Sequence, residues 1–269
     1  MILNSALSRR RIAISVSESD DMMSLGFGHE HLVDATIELS RHLLALGAGL
    51  MYGGDLRAEG FTELFSELHY RHRQNSNFAT NEPTVENFLA WPVHMSFSAR
   101  ELLQRQDEFD DEAIRLILLT RNGERMSFDQ RGAVQRAGLT DDDWSAGLTA
   151  MRLTMNNNSF ARIVMGGRVT RYRGRMPGVA EESFIALQAG VPLFVVGAFG
   201  GCARSIAQML GIAERPDARP APYNSELFNN TMSANGLDFS EQQRLALTPH
   251  IDEAATLIVR GLLRIAQRR

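Results

Sequence analysis

Apolar positions along this chain switch between two spacings. RIAISVS (11–17) is a short β-branched run, whereas HLVDATIELSRHLLALG (31–47) places its apolar residues three and four apart and stops at a glycine. The first pattern predicts a strand and the second an amphipathic helix. The alternation continues with a strand at AGLMYGG (48–54), a helix at GFTELFSELHYRHRQ (60–74), a helix at ARELLQRQDEFDD (99–111) and a buried strand at IRLILLT (114–120). FLAWPVH (88–94) predicts an edge or terminal strand, because Pro92 has no amide to give a central ladder. After a polar stretch to about residue 140, DDDWSAGLTAMRLTMNNN (141–158) opens on cap-type acids and predicts a helix. ARIVMGG (161–167) and VPLFVVG (191–197) predict two more strands, each leading into a helix. Residues 214–250, with their prolines and asparagines, read as a long excursion before the amphipathic helix IDEAATLIVRGLLRIAQRR.

Strands separated by helices of this length imply βαβ crossovers. The expected fold is α/β, Rossmann-like and doubly wound, with a mainly parallel sheet covered on both faces. Without a repeat or linker, one domain is expected over 1–269, with its core at about 11–212 and the excursion and closing helix at 213–269.

Composition narrows the chemistry. The chain has 269 residues, 44% hydrophobic and 22% charged, with a formal net charge of -4. Bulk attraction to nucleic acid or to an anionic membrane is not expected. Every basic residue other than histidine is arginine, so only clusters of arginine carry weight. A single cysteine, Cys202, excludes an internal disulfide and a Cys-rich metal site. No apolar run approaches the roughly 20 residues of a membrane span, and IAISVS is too short for a signal-peptide core. A cytoplasmic location is expected.

Three predicted strands end in glycines directly before a helix: MYGGDLRAEGFTELF (51–65), VMGGRVTRYRGRMPGVAEESF (164–184) and VVGAFGGCARSIAQML (195–210). In an open parallel sheet, ligands lie outside the carboxyl ends of the strands. Glycine there lets the backbone approach a ligand, and the next helix offers free N–H groups to a phosphate. Gly53, Gly54, Gly166, Gly167, Gly200 and Gly201 are the resulting candidates. No turn matches GxxxxGK[ST], and ISVSESDDMMSLGFGHEH does not supply GxGxxG, so neither a P-loop nor an NAD(P)-dehydrogenase fingerprint is present. Ser15, Ser17 and Ser19 offer hydroxyls near the end of the first strand.

Between the second glycine pair and its helix lie Arg168, Arg171, Arg173 and Arg175. Guanidinium groups pair bidentately with phosphate. In an extended loop, Arg171, Arg173 and Arg175 would share one side. Glu181 and Glu182 open the helix, where the dipole favours carboxylates; they project about 100° apart, so one of them faces a ligand. Other candidates carry less. His69 and His72 share a helical face but lack further metal ligands, so no metal is expected; Asp107, Asp110 and Asp111 form a loose acidic group. Trp91 could stack a base or fill a core, and Ser183 and Cys202 lack a nucleophile-elbow context.

The stretch MRLTMNNNSFARIVMGG…GVAEE (151–182) resembles the SLOG superfamily, which unites DprA-type DNA-processing proteins with LOG-type phosphoribohydrolases. The LOG signature is an arginine-bearing helix, a strand ending in PGG, then GTxxE. Gly166 and Gly167 match the paired glycines, Gly178 the glycine before the helix and Glu182 the final glutamate, while Arg152 falls near the family's arginine. The resemblance extends through GVPLFVVGAFGG and covers about residues 11–212. Met165 replaces the motif proline, Val179 the threonine, and RVTRYRGRMP is inserted. The chain is most similar to SLOG groups associated with bacterial conflict systems.

This resemblance implies recognition of a nucleotide or an ADP-ribose-like NAD derivative by a sensor module, with a possible effector protein as partner and no other cofactor. Its alternative is a LOG-like N-glycosidase in which Glu182 and Arg152 are catalytic. Proteins of this superfamily often pair, a purpose that the amphipathic C-terminal helix could serve.

Overall fold

The computed structural model describes residues 6–54, 56, 60–65, 67–68, 85–109, 114–134, 138–214, 223, 225–228 and 232–268. His69, His72, Asp110 and Asp111 lie outside these residues. Seven strands form the sheet: β1 (Arg11–Ser17), β2 (Gly49–Gly53), β3 (Val85–Leu89), β4 (Ile114–Leu119), β5 (Arg125–Met126), β6 (Ala161–Gly166) and β7 (Leu193–Val196). Their order is β5-β4-β3-β2-β1-β6-β7. All pairings are parallel except β4 with β5. The chain builds outward from β1 to β5, then returns to lay β6 on the other side of β1. That reversal is the topological switch point where an open α/β sheet forms a crevice, and the α/β, Rossmann-like expectation is met.

The α-helices among the described residues include α1 (His29–Ala45), α2 (Trp91–Met95), α3 (Ala99–Glu108), α4 (Phe128–Ala133), α5 (Asp141–Asn158), α6 (Gly178–Gln188), α7 (Gly201–Met209), α8 (Phe239–Leu247) and α9 (Ile251–Arg268). Strand alternation decides what each face meets. Ile12, Ile14 and Val16 of β1 join Leu32, Leu39, Leu257 and Ile258 of α1 and α9 in one buried cluster. Ala13, Met51 and Phe88 join Met151 and Met155 of α5 in another. Val164 and Val195 pack with Ala180 of α6 and Ala203 of α7.

Three elements differ from expectation. FLAWPVH is not an edge strand: β3 ends at Leu89 and is paired on both sides, by β2 and β4. Pro92 instead occupies the first turn of α2, where a missing amide costs nothing. The polar stretch before residue 140 contains β5 and the Ser127-capped α4. The 214–250 excursion contains α8, capped by Asp238. Leading into α8, the Ser233 Oγ accepts from Leu193 N–H (2.7 Å) and the Asn235 amide donates to Leu193 O (2.8 Å), so side chains cover the open edge of β7. The apolar stripe of α9, including Ala254, Leu257, Ile258, Leu262 and Ile265, is buried against the chain's own α1 side. It is therefore not left free for pairing of two copies. No helix among the described residues is long and apolar enough to cross a membrane.

Candidate functional site

A half-open cleft of about 680 Å³ lies beyond the carboxyl ends of β1, β2 and β6. Ser15 and Ser17 of β1 and Tyr52, Gly53 and Gly54 after β2 form part of its lining. Val93, Ser96 and Phe97, in and after α2, form another wall. Trp144, Leu148, Met151 and Arg152 enter from α5, and Gly178, Val179 and Glu182 from α6. The inserted loop contributes Arg168, Arg171, Tyr172 and Arg173.

The floor is a buried set of charges. Thr140 caps α5 by accepting from Asp143 N–H, and three turns later this helix presents Arg152, which is 6% exposed. Arg152 donates from Nη1 to Glu181 Oε2, and Thr149 Oγ1 donates to Glu181 Oε1 at 2.6 Å. Glu182 turns the other way: its Oε2 accepts from Arg162 Nη1 at 3.1 Å, and its Oε1 lies 3.8 Å from Arg152 Nε. Glu182 lines the cleft and Glu181 does not. Arg162 also donates to Ser15 Oγ at 2.7 Å. Burial drives the Arg162 pKa down from the usual guanidinium value, opposed by Glu182 and reinforced by Arg152. Arg162 was not picked out in the sequence, although a lone charge in the apolar run ARIVMGG was a usable signal, since a buried arginine requires a partner.

The roof is the inserted loop. It is held to the body by Thr170, whose Oγ1 donates to Asp20 Oδ2 at 2.8 Å, and by Arg173, whose guanidinium sits 4.1 Å from the Trp144 ring centroid. The loop is not extended. Arg171 has φ 49 and Gly174 φ 102, which breaks the expected alternation. Arg168, Arg171 and Arg173 reach the cleft, and Arg175 is exposed elsewhere.

The glycine turns divide. Gly53, Gly54 and Gly178 line the cleft; Gly166, Gly167, Gly200 and Gly201 do not. The last four were candidates for ligand contact, and the hydrogen bonds seen around them run within the protein. Gly167 N–H donates to Ser17 O, Cys202 N–H to Gly167 O, and Gly201 N–H to Asp21 Oδ1, each at 2.8 Å. The amides of Gly167, Gly201 and Cys202 are thus engaged within the protein. The remaining helix terminus is that of α6, where Pro177 gives no side-chain cap and the first turn faces the cleft.

A family model described as SLOG cluster2 matches residues 6–245. The chain belongs to the SLOG cluster2 family. No curated protein matches it. In this SLOG cluster2 protein the sheet and the switch-point crevice are those of a nucleotide-related Rossmannoid module.

Other sequence candidates fall outside the cleft lining. Ser19 Oγ donates to Phe199 O at 2.7 Å, and Ser183 Oγ donates to Val179 O at 2.7 Å. Burial pushes the Cys202 thiol up to about 12, and its Sγ lies 3.0 Å from Arg168 O. Trp91 packs edge-on to His94, with ring centroids 5.5 Å apart, while Trp144, unremarked in the sequence, lines the cleft. Among the described residues, no group of three His, Cys, Asp or Glu side chains is placed to hold a metal ion.

Proposed function

We propose that the cleft binds a phosphorylated nucleotide of the ADP-ribose or NAD-derived type, and that the SLOG cluster2 protein acts as a binding module for it. The observation that carries this reading is the division of the cleft into a cationic roof and a polar floor. Arg168, Arg171 and Arg173 line it from one loop, and Glu182, Ser15 and Ser17 line it from α6 and the end of β1. Guanidinium groups would hold a diphosphate through charge-assisted hydrogen bonds. The uncapped α6 terminus adds a positive dipole end. Glu182 would accept hydrogen bonds from ribose hydroxyls, as an acidic residue does in dinucleotide-binding folds. The sensor role and a link to bacterial defence follow from the family resemblance and remain part of this proposal.

Binding is favoured over turnover by the state of Glu182. Among the described residues it is the sole carboxylate lining the cleft, and its oxygens already face two guanidinium groups. Contacts that hold both oxygens in place suit a fixed acceptor of hydrogen bonds from a ligand. The N-glycosidase reading is supported by the adjacency of Glu182 and Arg152, and the same experiment separates the two.

Native mass spectrometry of purified protein should show a co-purifying nucleotide. Chromatography after incubation with AMP, NAD and ADP-ribose should show no released base or nicotinamide. Release by the wild type and not by Glu182→Gln would establish the glycosidase instead. Calorimetry with ADP-ribose should show the triple variant Arg168→Gln/Arg171→Gln/Arg173→Gln binding at least about 100-fold more weakly, since each charge-assisted bond contributes about 1.5–3 kcal/mol. Arg175→Gln should bind as the wild type does. Unchanged affinity in the triple variant would remove the proposal.

A further inference from the structure

The guanidinium of Arg162, on the second strand from one edge of the sheet, is fully buried, yet only one of its nitrogens has a hydrogen-bond partner among the described residues. Nη1 bonds Ser15 Oγ and Glu182 Oε2, whereas Nε and Nη2 have no hydrogen-bond partner among the described residues. The register shows how the strand accommodates so large a side chain: its neighbour on β1 is Ala13, the smallest side chain in that stretch of the strand. A buried polar group left partly unpaired opposes folding, and an apolar residue would fill the same space without that cost. What the guanidinium adds is direction. It fixes one carboxylate oxygen of Glu182 from below, and Arg152 approaches the other from the side at 3.8 Å.

A carboxylate has about four acceptor positions. Held in this way, Glu182 retains acceptor positions on both oxygens at the cleft side, with its plane fixed by the arginine beneath. Two neighbouring hydroxyls on a five-membered sugar present two donors at matching separation. A ligand lacking one of them would leave a partly buried, charged acceptor unsatisfied, which is the arrangement that gives strong discrimination between substrates.

We infer that Arg162 is a positioning residue that sets Glu182 as a double acceptor for a vicinal diol, so that the cleft selects ribonucleotides over 2′-deoxyribonucleotides. This rests on the nucleotide reading of the cleft, and goes beyond it by naming the sugar chemistry that is selected and the residue that sets it.

The test is calorimetric titration with ADP and with 2′-deoxy-ADP. The wild type should prefer ADP by about ten-fold or more, the loss expected for one hydrogen bond to a charged acceptor. In Arg162→Lys, which keeps the positive charge without the planar fork, the preference should fall to within about three-fold. The double variant Arg162→Met/Glu182→Gln removes both charges together and should show the same fall, so the result stands even if the lysine variant folds poorly. Wild-type protein that binds ADP and 2′-deoxy-ADP equally would overturn the inference while leaving the nucleotide reading intact. So would an Arg162→Lys variant that loses affinity for both in equal proportion, because a merely structural arginine predicts an unchanged ratio. Wild-type protein that binds neither would overturn this inference and the nucleotide reading together.

Discussion

His94 illustrates how a side chain's surroundings outweigh its type. In sequence it closed an apolar run and suggested a strand end; in the structure it is fully buried in α2. Its Nε2–H donates to Leu119 O at 2.7 Å, and Arg131 donates to its backbone carbonyl at 3.3 Å. Burial lowers its pKa from 6.5 to about 4, the Leu119 carbonyl opposes this, and the Arg131 charge reinforces it. The native imidazole is therefore neutral where the unfolded one takes up a proton. Stability from this group is complete above about pH 6.5 and declines as pH falls toward 4, by up to about 3 kcal/mol. Urea unfolding at pH 7 and pH 4.5 should show this decline in the wild type and a flatter profile in His94→Gln. Residue roles were unevenly legible. Neighbouring glutamates must diverge on any helix, so the separate partners of Glu181 and Glu182 follow from spacing alone. The partners of Arg162 were hidden because Ser15, on a neighbouring strand, and Glu182, on α6, meet it only in the folded chain.

At the scale of elements, local signals located most boundaries. Residues 141–158 form a helix as the acids of its first turn and the apolar spacing require, with Thr140 as its cap, and β1, β4 and β6 follow their apolar runs. Pro92 misled because proline is equally at home at a strand edge and in a first helical turn, and only the pairing of β3 on both sides decides between them. The glycine pairs were visible, but their purpose was not. At Gly201 the backbone has φ 60, and an added Cβ would stand 2.2 Å from Gly167 O and 2.5 Å from Ser19 Cβ. Gly201→Ala should therefore destabilise the protein by about 3 kcal/mol, combining left-handed strain with overpacking. Differential scanning calorimetry should place its midpoint roughly 6–12 °C below that of the wild type. An unshifted midpoint would show that this junction between β6 and α7 tolerates a side chain.

For the molecule as a whole, the parallel sheet and the edge at which its crevice opens were legible, because strand-helix alternation dictates both. The walls of the cleft were not, since they come from segments as distant as Ser15, Tyr52, Trp144 and Arg173, brought together by strand order. The cleft's floor carries two guanidinium groups against two carboxylates and so exerts little net field outward. The chain overall is anionic, at -4. Among the described residues, the solvent-facing cations lining the cleft are three side chains on one short loop, and exposed charges are screened within about 10 Å at 0.1 M salt. Stopped-flow capture of ADP-ribose should accordingly slow several-fold as sodium chloride rises from about 0.05 to about 0.5 M, while escape from the floor contacts changes little. For a ligand bound as proposed, the ionic composition of the surroundings would govern how quickly it arrives, and the sheltered floor how long it stays.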